Sequence, residues 1–502
     1  MVRRSGLTRR GLLKSGAALA LGASTTARAF NALAAQGSGR KIDAYGPLRP
    51  TPEHTTGLPL LKLPEGFTYR AFGITGAALS DGSETPPRHD GMAVVAERGD
   101  QITLIRNHEI GFRTPIGTAA TPRYNPEAGG GTTTLIFDGG RGELVESWAS
   151  LSGTAVNCAG GANPFSESWL TCEEIDEAGT RGKWRTTVDH GFVFEVPGAQ
   201  PASAVPLTAM GRFVHEAVAV DPTSGIIYQT EDDGLSGFYR FLPQNPRDLA
   251  AGGRLEMARV VGSTSAQGAV NLNGQDEPST RRNWNAAILG LSRGFAIPVG
   301  RRFAIDWVPI ETPAPTADID SLDGIGNFQN RVVAEGIAQG GCFFTRGEGC
   351  WYDRGSVYFT STDGGPIGRG QVWQYHVASS TLSLIFASND PEQLNRPDNL
   401  TVARSGALLL CEDSTGNWHP ADRMIGLTLS GELFDFAENN LLLEGAAAAR
   451  LGVPAGDYRT SEWAGATFSR SGKWLFANIQ TPGITFAITG PWTRGPLGAK
   501  PT

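Results

Sequence analysis

The chain has 502 residues, of which 66 are Gly and 31 are Pro, about one position in five. Both residues weaken helix interiors, which excludes a helical bundle, while a hydrophobic share of 40% excludes global disorder. The formal charge of −7 leaves no basic face for nucleic acid, and no run of 18 apolar residues marks a membrane span.

The first element in chain order reads as an address. Arg3, Arg4, Arg9, Arg10, Lys14 and Arg28 fall within residues 1–29 with no acid among them, so the formal charge of the chain beyond is −13. Arg9 and Arg10 precede Leu12, Leu13 and Lys14, then a mildly apolar run at 16–23. Ala27-Arg28-Ala29 and Ala32-Leu33-Ala34 are two small-x-small cleavage patterns. The pattern resembles a twin-arginine signal over residues 1–34, the alternative being a retained basic amphipathic helix. It predicts export of an already folded, cofactor-loaded protein to the periplasm or beyond. Five cysteines follow, Cys158, Cys172, Cys342, Cys350 and Cys411, an odd number for an oxidising compartment. Buried inert thiols and metal ligation both explain them, and a Cys342–Cys350 disulfide is open.

Beyond an N-terminal extension at 35–60, short strand patterns alternate with Gly-rich turns. Six segments share one layout: an acid or amide, a strand, a turn, and a second strand ending in an acid or amide. They begin at Asp90, Asn157, Glu216, Glu348, Asp398 and Glu462 and end at Glu109, Glu173, Glu231, Asp363, Glu412 and Asn478. The interval within each pair is 14 to 19 residues. Successive pairs lie 49 to 66 residues apart, except for one gap of 132 that predicts insertions around 245–335. This period predicts an all-β fold, a six-bladed β-propeller over 61–492 with a central metal-containing channel, loop and helical insertions, and a C-terminal tail at 493–502. A pair of β-sandwiches is the other all-β reading.

A position repeated once per blade forms a ring, and crowded carboxylates resist ionisation unless cations neutralise them. Oxygen donors suit Ca²⁺, whereas the thiolate of Cys172, beside Glu173 and Glu174, suits a transition metal. Cys411, Glu412 and Asp413 repeat that arrangement, so cysteine alone does not choose the ligand. Arg346, two residues before Glu348, suits a tetrahedral anion, or a salt bridge to a ring acid.

The motifs NCAGG (157–161), WLTCEE (169–174), RFVHEAVAVDP (212–222), TEDDG and SGFYRF (230–241), WYDRGSVYFTSTDGG (351–365), PDNLTV (397–402), LLLCED (408–413) and NIQTPGITFAITGPW (478–492) resemble, in order, the PhoX-type alkaline phosphatases. The resemblance implies a six-bladed propeller holding two ferric and three calcium ions, and phosphomonoester hydrolysis. It implies Cys172 as a thiolate ligand of iron and Glu173, Glu216, Glu231, Glu348, Asp398, Glu412 and Glu462 as metal ligands. It implies Arg346 as a phosphate-binding arginine, with Asn157 as a ligand or substrate contact.

The expected reaction is metal-assisted release of inorganic phosphate from small phosphate monoesters, with charge stabilisation by Arg346. No H-E-x-x-H motif offers a zinc route. A calcium-dependent propeller lactonase or phosphotriesterase, and a non-catalytic calcium-plugged binding propeller, are the alternatives. Expected partners are the export machinery and substrate, with no nucleic acid, no membrane span in the mature chain and a monomeric state.

Overall fold

Short runs of β-branched and aromatic residues, closed by glycines at positive φ such as Gly99 and Gly225, pair here as antiparallel meanders. The computed structural model describes residues 39–178, 186–275, 295–315, 331–414 and 419–498. The expected export signal, with Arg9 and Arg10, lies outside these residues.

His89–Arg98, Gln101–His108, Gly130–Asp138 and Glu143–Thr154 form one four-stranded meander. Asn157–Asn163, Ser168–Glu173 and Val193–Pro197 form the next sheet. His215–Val220, Ile227–Glu231, Phe238–Pro243 and Gly253–Val260 follow, and Gly347–Asp353, Ser356–Ser361, Gln371–His376 and Thr381–Ala387 make a further meander. These two are joined at their outer edges by Arg302–Pro309, which pairs with both Gly253–Val260 and Thr381–Ala387. Pro397–Val402, Leu408–Glu412, Arg423–Leu427 and Leu433–Asn439 are extended by Leu61–Leu63 and Arg49–Thr51. The last sheet is Trp463–Phe468, Leu475–Ile479, Ile484–Thr489 and, from the other end of the chain, Thr68–Phe72.

The first strand of each meander is innermost. His89–Arg98 neighbours Asn157–Asn163, then come His215–Val220, Gly347–Asp353, Pro397–Val402 and Trp463–Phe468, which returns to His89–Arg98. The arrangement is all-β and propeller-like. A separate apolar cluster fills the gap between each neighbouring pair of sheets, for example Leu170, Val193, Val218 and Phe241, or Phe238, Phe344, Phe359 and Trp373. Each large side chain so buried contributes about 1.5–3 kcal/mol. Only two α-helices occur among the described residues, Val332–Ala338 and Gly445–Leu451.

One expectation changes and one open question closes. The span 245–335 is not only inserted loop, because Gly253–Val260 and Arg302–Pro309 are integral strands of the sheets. Arg302–Pro309 alternates exposed and buried side chains at its start, the period-2 signal of an outer strand. Cys342 and Cys350 are free thiols buried in one apolar cluster, and all five cysteines are free and buried.

Candidate metal centre

The inner strands share a local irregularity that builds the site. In each, the first residue pairs with the last residue of its neighbour: His89 with His108, Asn157 with Glu173, His215 with Glu231, Gly347 with Ser361, Pro397 with Glu412, and Trp463 with Ile479. The ladder then skips. His89 to Met92 faces His108 to Arg106, and Asn157 to Gly160 faces Glu173 to Thr171. One extra residue sits on the inner strand, a β-bulge that bends it and re-aims a side chain. The bulged positions begin with Asp90, Cys158, Glu216, Glu348 and Asp398. In the last sheet the bulge comes one residue later, after Ala464, and Glu462 just ahead of the strand supplies the acid.

These side chains meet on the axis. A cavity of about 240 Å³ is lined by Asp90, Cys158, Glu348, Asp398 and Glu462, with Glu109, Glu174, Asp413, Gln480, Arg88 and Arg346. Donor atoms cluster within 4.8 Å of one another in three groups: Cys158, Glu174 and Glu216; Glu216, Glu348 and Asp398; Asp398, Asp413 and Glu462. Glu216 and Asp398 are each shared by two groups, so the three form one chain. Both carboxylate oxygens of Glu216 are buried without a hydrogen-bond partner. An unpaired buried carboxylate costs several kcal/mol, so this donor set fits bound cations.

Electrostatics describes the same crowding. Burial, then neighbouring acids, pushes the Asp90, Glu216 and Glu462 carboxyls well above the usual range. Asp398 is pushed up to about 7 by burial and by Asp413. Burial, then Asp90 and Glu216, raises the Cys158 thiol. Asp232 runs against the trend. Burial opposes its ionisation, but Arg346 holds its pKa below the usual value. The guanidinium is bidentate, with Nε donating to Oδ1 at 2.9 Å and Nη2 to Oδ2 at 3.0 Å. Nη2 also lies 2.6 Å from Glu348. Gln480 ties the other wall together, its Nε2 donating to Glu109 at 2.7 Å and to Asp90 at 3.2 Å.

Of the residues expected from sequence, Glu216, Glu348, Asp398, Glu462 and Arg346 are brought together. Cys172, Glu173, Glu231, Glu412 and Asn157 are not. Cys172 is buried among Leu170, Val193 and Met210. The Glu173 carboxylate is consumed by the N–H groups of Ala155, Gly191 and Phe192 and by His190 Nδ1 at 2.7 Å. Glu231 accepts from Gly237 N at 2.8 Å and from the Tyr239 hydroxyl at 2.7 Å. Glu412 is held by Arg423 at 2.7 and 2.8 Å and by Asn395 N. Asn157 spends its amide on the Thr154 and Thr171 hydroxyls. Asn157, Glu173, Glu231 and Glu412 are ladder residues that close their strand pairs. For these four the chemistry passes to the next residue: Cys158, Glu174, Asp232 and Asp413. The sequence signal was a small residue after the inner position, Gly91, Ala159, Ala217 or Gly349, as a bulge at close strand contact requires.

Comparison with known proteins gives three findings. The family model described as alkaline phosphatase PhoX matches residues 44–483. No curated protein matches. Among solved structures, the chain is similar to Pseudomonas fluorescens PhoX in complex with vanadate, a transition-state analogue, at 17% identity and a TM-score of 0.59, covering 92% of this chain and 100% of that one. A gluconolactonase from Xanthomonas campestris aligns at 12% identity and a TM-score of 0.34, over 91% of this chain and 99% of that one.

Proposed function

The chain belongs to the alkaline phosphatase PhoX family and is a phosphomonoesterase; from that premise we propose how its own residues carry the reaction. The carrying observation is the continuous chain of three donor groups joined through Glu216 and Asp398. It supports a multi-cation centre on the axis of a six-bladed propeller, as do the closed circle of inner strands and the cluster between each pair of sheets.

Cys158, Glu174 and Glu216 would hold a transition metal, because a thiolate favours it over calcium. The two groups of carboxylates alone, around Asp398, would hold calcium. Ferric iron and calcium are the metals we propose, two and three respectively. When bound, they supply Lewis-acid activation of the phosphoryl group and offset the carboxylate charge. Arg346 orients the phosphate and stabilises charge developing on its oxygens, using the planar fork now fixed by Asp232. Asp232 and Glu348 keep the guanidinium at the wall and fully protonated. Asn157 and the ladder acids Glu173, Glu231 and Glu412 hold the strand ends on which the ligands stand. Residues 1–34 direct twin-arginine export to the periplasm, and the mature chain acts as a monomer.

The test uses the exported protein, elemental analysis and p-nitrophenyl phosphate. The expected result is iron and calcium in the isolated protein and at least tenfold loss of activity after prolonged chelation, restored by adding both metals. Activity untouched by chelation, or protein containing neither metal, defeats the metal assignment.

A further inference from the structure

Three arginines occupy one repeated slot, the residue immediately before an inner strand: Arg88, Arg346 and Arg396. Each has a left-handed backbone, with φ of 58°, 50° and 53°. The slot's carbonyl accepts the N–H of the first residue past the neighbouring strand, Glu109 for Arg88 at 3.0 Å and Thr362 for Arg346 at 2.9 Å. Arg88 and Arg346 both line the cavity. Around the circle of inner strands, His89–Arg98 and Gly347–Asp353 are separated by two strands in either direction, so the two arginines stand on opposite walls.

Their commitments differ. Arg346 is fixed by two acids, and its side chain is 20% exposed. Arg88 is 45% exposed and, among the described residues, its side chain hydrogen-bonds only Glu109, through the carboxylate and, at 3.4 Å, the carbonyl. A guanidinium carries five donors, of which two are used here. Glu109 is the more buried partner, at 16% exposed, so the Arg88 end of the pair is the one open to a ligand.

We infer that Arg88 is a second anion-binding arginine, which grips an acidic group on the leaving-group side of the substrate. The inference rests on Arg346 as the arginine that holds the transferred phosphate. With that phosphate on the Arg346 wall, the remainder of the ester projects toward the more exposed Arg88. A guanidinium there selects esters whose leaving group bears a second phosphate, such as sugar bisphosphates.

The experiment compares glucose 1,6-bisphosphate with glucose 6-phosphate on the metal-loaded enzyme. The wild type is expected to have the higher kcat/KM for the bisphosphate. Arg88→Asn, which tolerates the left-handed backbone, lowers the ratio of the two kcat/KM values about tenfold, the scale of a charged hydrogen bond. The loss falls on KM, and Arg88→Lys restores part of it. No preference in the wild type, or a ratio unchanged in Arg88→Asn, overturns the inference. A variant that is merely unstable lowers both values together, which also counts against it. Arg346→Ala is the separate control. If it leaves both substrates and inhibition by inorganic phosphate unchanged, the reading of Arg346 fails, whatever the Arg88 ratio shows.

Discussion

Cys158 and Cys172 stand on paired strands, yet their surroundings are opposite. The Cys158 sulfur lies 3.8 Å from Asp90 Oδ1 and within the donor group of Glu174 and Glu216. Cys172 has no solvent exposure and packs among Leu170, Met210 and Phe213. A thiolate needs a cation close by to be stable at neutral pH, and only the first setting offers a place for one. Cys158→Ala should therefore lower bound iron at least about tenfold, the lower end of what even ligand-supporting residues cost. Cys172→Ala should keep the iron and lose about 1 kcal/mol through a small cavity. Metal analysis and thermal denaturation of both variants check this, and iron retained in Cys158→Ala with loss in Cys172→Ala reverses the assignment.

At the scale of the element, the bulge couples fold to site. It needs inner strands in close contact. A Cβ built on Gly349 would lie 2.7 Å from the Asp398 carbonyl oxygen and 2.9 Å from the Asn399 Cα, both backbone atoms that cannot swing aside. Gly349→Ala should push apart the two strands carrying Glu348 and Asp398. Overpacking of this kind costs about 1–3 kcal/mol, and a larger relative loss of metal than of stability is expected. Calcium titration followed by thermal melting would show it, and an unchanged calcium affinity would mean that the bulges do not set the ligand positions. The same feature explains what could be read in advance. Strand spacing and repeated acids disclosed the meanders, their common layout, and Glu216, Glu348, Asp398 and Arg346. They did not disclose which of two adjacent residues faces the axis. A single extra residue flips that choice, and hydrophobic periodicity in a fully buried strand carries no alternation to reveal it. Hence Glu173, Glu231 and Glu412 stood out in sequence, while Glu174 and Asp413 line the cavity and Asp232 holds Arg346. Arg302–Pro309 was missed for another reason: it lies far along the chain from the strand it pairs with, Thr381–Ala387.

For the whole molecule, the axis is a concentration of like charge held by the sheets around it. Without cations, burial first of all pushes Asp398 on the axis up to about 7, and two buried acids outside the cavity lining, Glu231 and Asp422, up to about 8. Their folded pKa values exceed the unfolded ones, so the folded state binds more protons. Stability from these groups is complete below the unfolded pKa and is lost as pH rises through the folded value. His89, His108 and His215 are buried and shifted down, so they act in the opposite sense, but only below the unfolded histidine pKa of about 6.5. Between about pH 6.5 and 8.5 the carboxylates therefore dominate. Metal-stripped protein should lose stability across that window, at up to about 1.4 kcal/mol per pH unit for each titrating group. Added calcium should remove the Asp398 part of the slope, since the ionised carboxylate binds it and protons compete less as pH rises, while the Glu231 and Asp422 part remains. Thermal melting of stripped and reloaded protein at both ends of the window measures this directly. A stripped protein that melts higher at the alkaline end would show that the axial acids are already paired without cations.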